Sequence, residues 1–312
     1  MPRCSTGSRP GWPRPVGRTM PDPCPTGLIH RRHAVISEVR RACASGRVFE
    51  DRMSVISFLS KTGVHEQALR KLFKDSVAYD GPPVFDHPLY CIGFFNRSGS
   101  NLLAGYLRAT PYFSGFHEQL NFNTVEKQSA DWGVTSFPGF VREATERFGK
   151  GQFVHGFKAS VDQLMMLQRF GIPKMYAGGL RIIHITRGDL IGQAVSYQIA
   201  SQTQQWTSQQ SGIGTDVDVR FDAKQVTHLV EAAQASVNGI AMFAELFDCP
   251  RLHVSYEELV KRPARVLSRV ARFAGQTGAD WPVVKPGIKR QASELNERFR
   301  QQYLTETRAK LL

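Results

Sequence analysis

The chain has 312 residues, 41% of them hydrophobic, which suits one large α/β domain or two ordinary ones and excludes a wholly disordered or membrane-embedded protein. The longest near-apolar stretch, around Leu89 to Phe95, falls far short of the roughly 20 residues that span a bilayer, so no transmembrane helix is expected. The net charge is +13, but residues 1–52 carry ten Arg and no Lys against four acids, and with no zinc-finger, basic-zipper or aromatic–basic pattern elsewhere the charge does not argue for nucleic acid.

Residues 1–52 read as a disordered, basic Pro/Arg-rich leader, or as upstream codons translated in error, with Met20 or Met53 as the true start. Seven of the 17 prolines fall in residues 1–27, and no apolar segment there resembles a secretory signal. The Arg-rich, acid-poor composition also matches a transit peptide, although the prolines oppose the amphipathic helix one needs. Cys4, Cys24 and Cys43 lie in this leader and Cys91 and Cys249 beyond it, with no C-x-x-C pair; the nine histidines show no H-E-x-x-H spacing. No disulfide framework and no metal are expected, and the cytoplasm is the expected location. Residues 53–87 read as a partly helical N-terminal extension, with Leu69, Leu72 and Phe73 on one face, ended by Gly81-Pro82-Pro83.

Residues 88–312 alternate short apolar runs with longer amphipathic segments. Leu89–Phe95 predicts a buried strand and Leu102–Ala109 the helix after it. Further strands are expected at Phe153–Phe157, Arg181–Thr186 and Leu252–Tyr256. Helices are expected at Asp189–Ser201, Lys224–Phe247, Glu257–Ala274 and Ser293–Leu311. Strands separated by helices imply an α/β fold of three layers, a mostly parallel sheet with helices on both faces.

Two segments carry chemistry. The first is the turn Asn96-Arg97-Ser98-Gly99-Ser100-Asn101 between the first strand and its helix. Small residues around a Gly let successive backbone N–H groups converge on an anion, and the helix start adds partial positive charge. Arg97 adds a full charge, and Ser98 and Ser100 add hydroxyl donors. A plain helix-capping turn has the same composition. The motif is not a Walker A loop, since G-x-x-x-x-G-K-[ST] is absent. The second segment is Arg181-Ile-Ile-His-Ile-Thr186-Arg187, followed on the next helix by Ser196. An Arg at the carboxyl end of a strand sits where open α/β sheets bind ligands, and Arg with Ser suits a phosphate monoester. A surface charge is the alternative for Arg187.

Together the segments resemble the P-loop-like sulfotransferases, and among them the bacterial trehalose 2-sulfotransferase-like family. The resemblance rests on R-S-G-S-x-L-L-x-x-x-L-R-A-T (Arg97–Thr110) with Glu118 beyond it, on Gly156-Phe157-Lys158, and on I-H-I-x-R (Ile183–Arg187) with Q-A-V-S (Gln193–Ser196). It continues in Gln202-Thr203 with Trp206 and in Lys289-Arg290-Gln291-Ala292, covering about two-thirds of the chain.

That resemblance implies the sulfuryl donor 3′-phosphoadenosine 5′-phosphosulfate (PAPS), released as the bisphosphate PAP, with no metal. Arg97 to Asn101 would hold the 5′-phosphosulfate, Arg187 and Ser196 the 3′-phosphate, and Arg290 and Gln291 would close over the nucleotide. Glu118 matches the family's general base, and Lys158 would neutralise charge on the transferring group. An exposed loop acid and a snorkelling surface Lys are the alternatives for these two. The family's aromatic residue after the base is missing here; His117 and Gln119 flank Glu118 instead and are expected to touch the acceptor, so trehalose itself is not implied. Trp206 is expected to stack on a sugar, or to be core. Asp216, Asp218 and Asp222 lack the Gly and the terminal acid of a calcium loop and read as solvated. The expected partner is a carbohydrate or glycolipid acceptor, without nucleic acid; a homodimer is left open. The rival readings are a P-loop-like kinase and a non-catalytic nucleotide- or nucleic-acid-binding protein.

Overall fold

Successive residues of the central strand β1 (Leu89–Gly93) face opposite ways, and each face seeds a separate core. Leu89 and Cys91 join one, Tyr90 and Ile92 the other. The structure, a computed structural model, describes residues 55–149, 154–206, 219–276, 283–287 and 294–312. The expected leader at 1–52 and the pair Arg290 and Gln291 lie outside these residues.

Beside β1 the sheet contains β2 (Phe113–His117), β3 (Val154–Ala159), β4 (Leu180–Thr186) and β5 (Arg251–Ser255), all parallel, in the order β2-β3-β1-β4-β5. The residues of β1 and β3 are buried throughout, as a parallel sheet covered on both faces requires. On the first face lie α1 (Val55–Ser60), α2 (Val64–Phe73), α4 (Phe122–Trp132), α5 (Phe137–Gly149), α6 (Val161–Arg169) and α8 (Ala223–Leu246), which contribute Leu59, Leu69, Val125, Phe140, Leu164 and Phe243 to one core. On the second face α3 (Ser100–Arg108), α9 (Tyr256–Lys261) and α10 (Pro263–Phe273) bring Leu103, Leu259 and Val266 against Ile92 and Ile183. A third cluster joins α7 (Leu190–Thr203) to α8 and to α11 (Glu294–Leu311) through Val195, Val226 and Phe299. The chain thus adopts the three-layer α/β architecture expected from its alternation. Among the described residues no helix is long and apolar enough to cross a membrane.

Several elements differ from the expectations. Strand β2 and helices α4, α5 and α6 were not anticipated. The helix expected over Glu257–Ala274 is two helices, because the proline at 263 lacks an N–H and opens α10 instead of continuing α9. Within residues 55–77, Leu59, Leu69, Phe73 and Val77 are buried in the first core. Glu66 of α2, 2% exposed, is paired with Arg70 at 2.8 Å and with Arg169 of α6 at 2.6 Å, which ties α2 to the body of the fold.

Because β1 lies between β3 and β4, the connections after it and before β4 leave in opposite directions. A crevice therefore opens at its carboxyl end, the position where open α/β sheets bind ligands.

Candidate active site

The residues after β1 form a tight turn with Arg97 at φ 66° and Gly99 at φ 90°. Only Gly fits at 99: a Cβ there would meet Tyr256 Cδ2 at 2.4 Å, in a backbone region that side chains disfavour. No side chain caps the N-terminus of α3, so the first N–H groups of that helix are available to an anion. Ser98 is buried and its hydroxyl has no hydrogen-bond partner. A buried unpaired hydroxyl under a turn of this shape suits a ligand that brings acceptor oxygens.

Arg97 ties the turn to the far side of the crevice. Its Nε donates to Ser196 Oγ of α7 at 2.9 Å and its Nη1 to the Trp206 carbonyl at 2.7 Å. Burial, followed by the nearby Arg187 guanidinium, lowers the Arg97 pKa. Two guanidinium groups this close favour an incoming anion. Arg187, just past β4, lies 3.3 Å from Asp189 and stacks on Tyr256 at 5.4 Å, while its buried Nε has no partner. Asp189 caps α7 through the Gly192 N–H at 3.0 Å and lies 3.5 Å from Arg300 of α11.

The other side of the turn is built from β2 and β3. Lys158, 2% exposed near the end of β3, donates to Asn101 Oδ1 at 2.6 Å and to Glu118 Oε1 at 2.5 Å, and its ammonium lies over the Phe94 ring. Glu118 directly follows β2, where positive φ at Gly115 and Phe116 and a register shift mark a bulge. Such a bulge re-aims the chain, here into the crevice. Burial alone would raise the Glu118 carboxyl; the Lys158 ammonium, its hydrogen bond, that of Asn121 at 3.3 Å and the nearby His65 together hold it below the ordinary carboxylate range. Lys158 is lowered by its own burial, against which Glu118 acts.

Arg97, Gly99, Ser100 and Asn101 line one cleft of about 1440 Å³ together with Glu118, Arg187, Ser196 and Trp206. The sequence thus identified residues that the fold brings together from four separate segments. Lys158 lies beneath this cleft, touching Asn101 and Glu118. His117 and Gln119, expected at the acceptor, are not among the lining residues; Gln119 is buried with its Oε1 unpartnered. Trp206 packs edge-on to Tyr197 at 5.5 Å, so its ring has a protein partner as well as a cleft position. Among the lining residues that were missed, Tyr256 had a positional signal, since it opens a helix directly after β5; His65 and Phe122 had none.

A family model described as Stf0 sulphotransferase matches residues 89–306. A trehalose 2-sulfotransferase of Mycobacterium tuberculosis is 24% identical over 256 residues, covering 70% of this chain and 94% of that protein. A trehalose 2-sulfotransferase of Mycolicibacterium smegmatis is 26% identical over 122 residues, 39% of this chain and 45% of the relative, so this match spans less than half of its length. Among solved structures, the sulfotransferase domain from the curacin biosynthetic pathway has a TM-score of 0.43 at 13% identity, with 70% of this chain and 97% of that chain covered. Mouse sulfotransferase SULT7A1 complexed with PAP has a TM-score of 0.39 at 12% identity, with 79% and 70% covered.

Proposed function

Since the chain belongs to the Stf0 sulphotransferase family, we propose that it transfers the sulfuryl group of PAPS to a hydroxyl of a carbohydrate, glycolipid or polysaccharide precursor. The observation that carries the reading is the contact of buried Lys158 with Glu118 beside an uncapped anion turn. It sets a cation for a transferring anion next to a carboxylate for an acceptor proton.

The residues present fit the donor. The turn Arg97–Asn101 suits the 5′-phosphosulfate, and Arg187, with its unpaired Nε, suits the 3′-phosphate beside Ser196. Bound PAPS supplies the activated sulfuryl group: its S–O bond to the 5′-phosphate breaks as the acceptor oxygen forms the new one. Glu118 takes the acceptor proton, and PAP leaves. Before that, Lys158 has to exchange Glu118 for the incoming anion. Once its ammonium partner turns away, burial acts on Glu118 with less opposition and makes it a stronger base. Positioning and electrostatics supply most of the remaining catalysis, as in phosphoryl transfer.

The test is an acceptor screen with labelled PAPS across mono-, di- and lipid-linked saccharides. Transfer to one of them is the expected result. A protein that binds PAP and transfers to none would overturn the acceptor assignment, and failure to bind PAP would overturn the donor assignment.

A further inference from the structure

Part of the cleft lining comes from outside the family's matched range. Residues 89–306 match the family, yet Val64 and His65, from α2, line the same cleft as Glu118 and the anion turn. Helix α2 is held firmly there. Glu66, the residue after His65, is buried in its ion pairs with Arg70 and Arg169, and Leu69 and Phe73 anchor the helix in the core.

His65 itself has a defined orientation. Its Nδ1 accepts the backbone N–H of Phe122 at 3.1 Å. In the neutral ring one nitrogen accepts and the other carries the proton, so this bond assigns the proton to Nε2. His65 is half-buried and lines the same cleft as Glu118. With Nδ1 occupied, the ring offers the cleft a donor and no base. Phe122 lines the cleft next to it and supplies an apolar face.

We propose that α2 sets acceptor choice, with His65 donating its Nε2–H to a second oxygen of the acceptor while Glu118 takes the hydroxyl that is sulfated. The inference rests on the sulfotransferase reading above. It selects polyhydroxylated acceptors, with an oxygen neighbouring the reacting hydroxyl, over simple alcohols. His65 is a specificity-determining residue supplied by a segment that the family match does not include.

The test compares His65→Asn, His65→Gln and His65→Ala in the full chain, with labelled PAPS and four acceptors: glucose, trehalose, n-octyl glucoside and 1-octanol. Asn places a carbonyl near the Nδ1 position and keeps an acceptor for Phe122, but it lacks the donor. Gln places an amide N–H near the Nε2 position. One lost hydrogen bond predicts a sugar KM about three- to tenfold higher in His65→Asn and His65→Ala, and His65→Gln within about twofold of wild type. The KM for PAPS and the thermal stabilisation by PAP should stay unchanged in every variant, and the wild type should prefer the sugars to 1-octanol. If His65→Asn keeps the wild-type sugar KM, or His65→Gln falls with His65→Ala, the ring merely braces Phe122 and the proposal fails. If the wild type binds PAP but labels none of the sugars, the carbohydrate-acceptor reading fails first and takes this proposal with it. Should His65→Ala not fold, the Asn and Gln pair carries the test alone.

Discussion

Lys158 Nζ lies 2.5 Å from Glu118 Oε1, so the cation proposed to meet the sulfuryl group and the carboxylate proposed as base neutralise each other before substrate arrives. The two partners differ in exposure: 2% of the Lys158 side chain is accessible against 43% of Glu118. An isolated ammonium so deeply placed would be costly, and Glu118 and Asn101 compensate it. In the proposed reaction an anion at the turn would replace Glu118 in that role, coupling donor binding to release of the proposed base.

Glu118→Gln keeps the shape of the side chain and cannot accept a proton. General-base catalysis contributes about 10²–10⁴-fold, and turnover on a verified acceptor should fall by that amount. PAP binding should hardly change, since Glu118 is not assigned to the nucleotide. Near-full turnover in the variant would move the base elsewhere, with His117 the next residue to replace.

Arg187→Ala should selectively weaken recognition of the 3′-phosphate. In the wild type, PAP should raise the melting temperature well above the shift given by adenosine 5′-monophosphate. A charge-assisted hydrogen bond is worth about 1.5–3 kcal/mol, and the gap between the two nucleotides should shrink accordingly in the variant. Equal shifts by both nucleotides in the wild type would remove the 3′-phosphate from this position.

His155 and His184 should make the fold acid-sensitive. Burial, followed by nearby His87 and His117, lowers His155 to about 3; burial, followed by Arg251 and His253, lowers His184 to about 3. Both are buried with Nε2 unpartnered. Below the ordinary value near 6.5 the unfolded chain binds protons that the folded chain refuses, so stability falls as pH drops from about 6.5 toward 3. Each ring contributes a slope of up to about 1.4 kcal/mol per pH unit in that window. Urea titrations across it should show a shallower slope in His155→Gln than in the wild type; an equal slope would mean that the ring is protonated in the fold.

Two truncations should separate the leader from the domain. A chain beginning at Met53 should fold and bind PAP like the full chain. One beginning at Pro88 loses Leu59, Leu69, Phe73 and Val77 from the first core, at about 1.5–3 kcal/mol for each large side chain, and should not fold to a stable state. A stable Pro88 chain with normal sugar KM would contradict both the packing and the role of α2.

The legible parts of the molecule were those where local pattern and tertiary role agree. Strand β1 is an apolar run and β4 carries Ile182, Ile183 and Ile185, and each ends at a turn bearing an arginine, so the sheet and the candidate anion-binding turns were readable from them. Strand β2 was not: it is short and interrupted by Gly115, and its Phe116 adopts positive φ. Helix α5 was masked by Pro138 and Gly139, which read as breakers although proline is tolerated in a first turn; there Ser136 Oγ accepts the Gly139 N–H at 3.1 Å. His65 carried no local signal, because its position in the cleft depends on Phe122, 57 positions away.

The place of β1 in the sheet also bears on how the chain is made. Its neighbours β3 and β4 begin about 65 and 91 residues downstream. At roughly 5–20 residues per second, a ribosome leaves this wholly apolar strand without either partner for several seconds. Helices α1 and α2 precede it and share its core, so they are the native apolar surface already synthesised when it emerges. The segment that lines part of the cleft is thus also the first portion of the core of β1 to be synthesised.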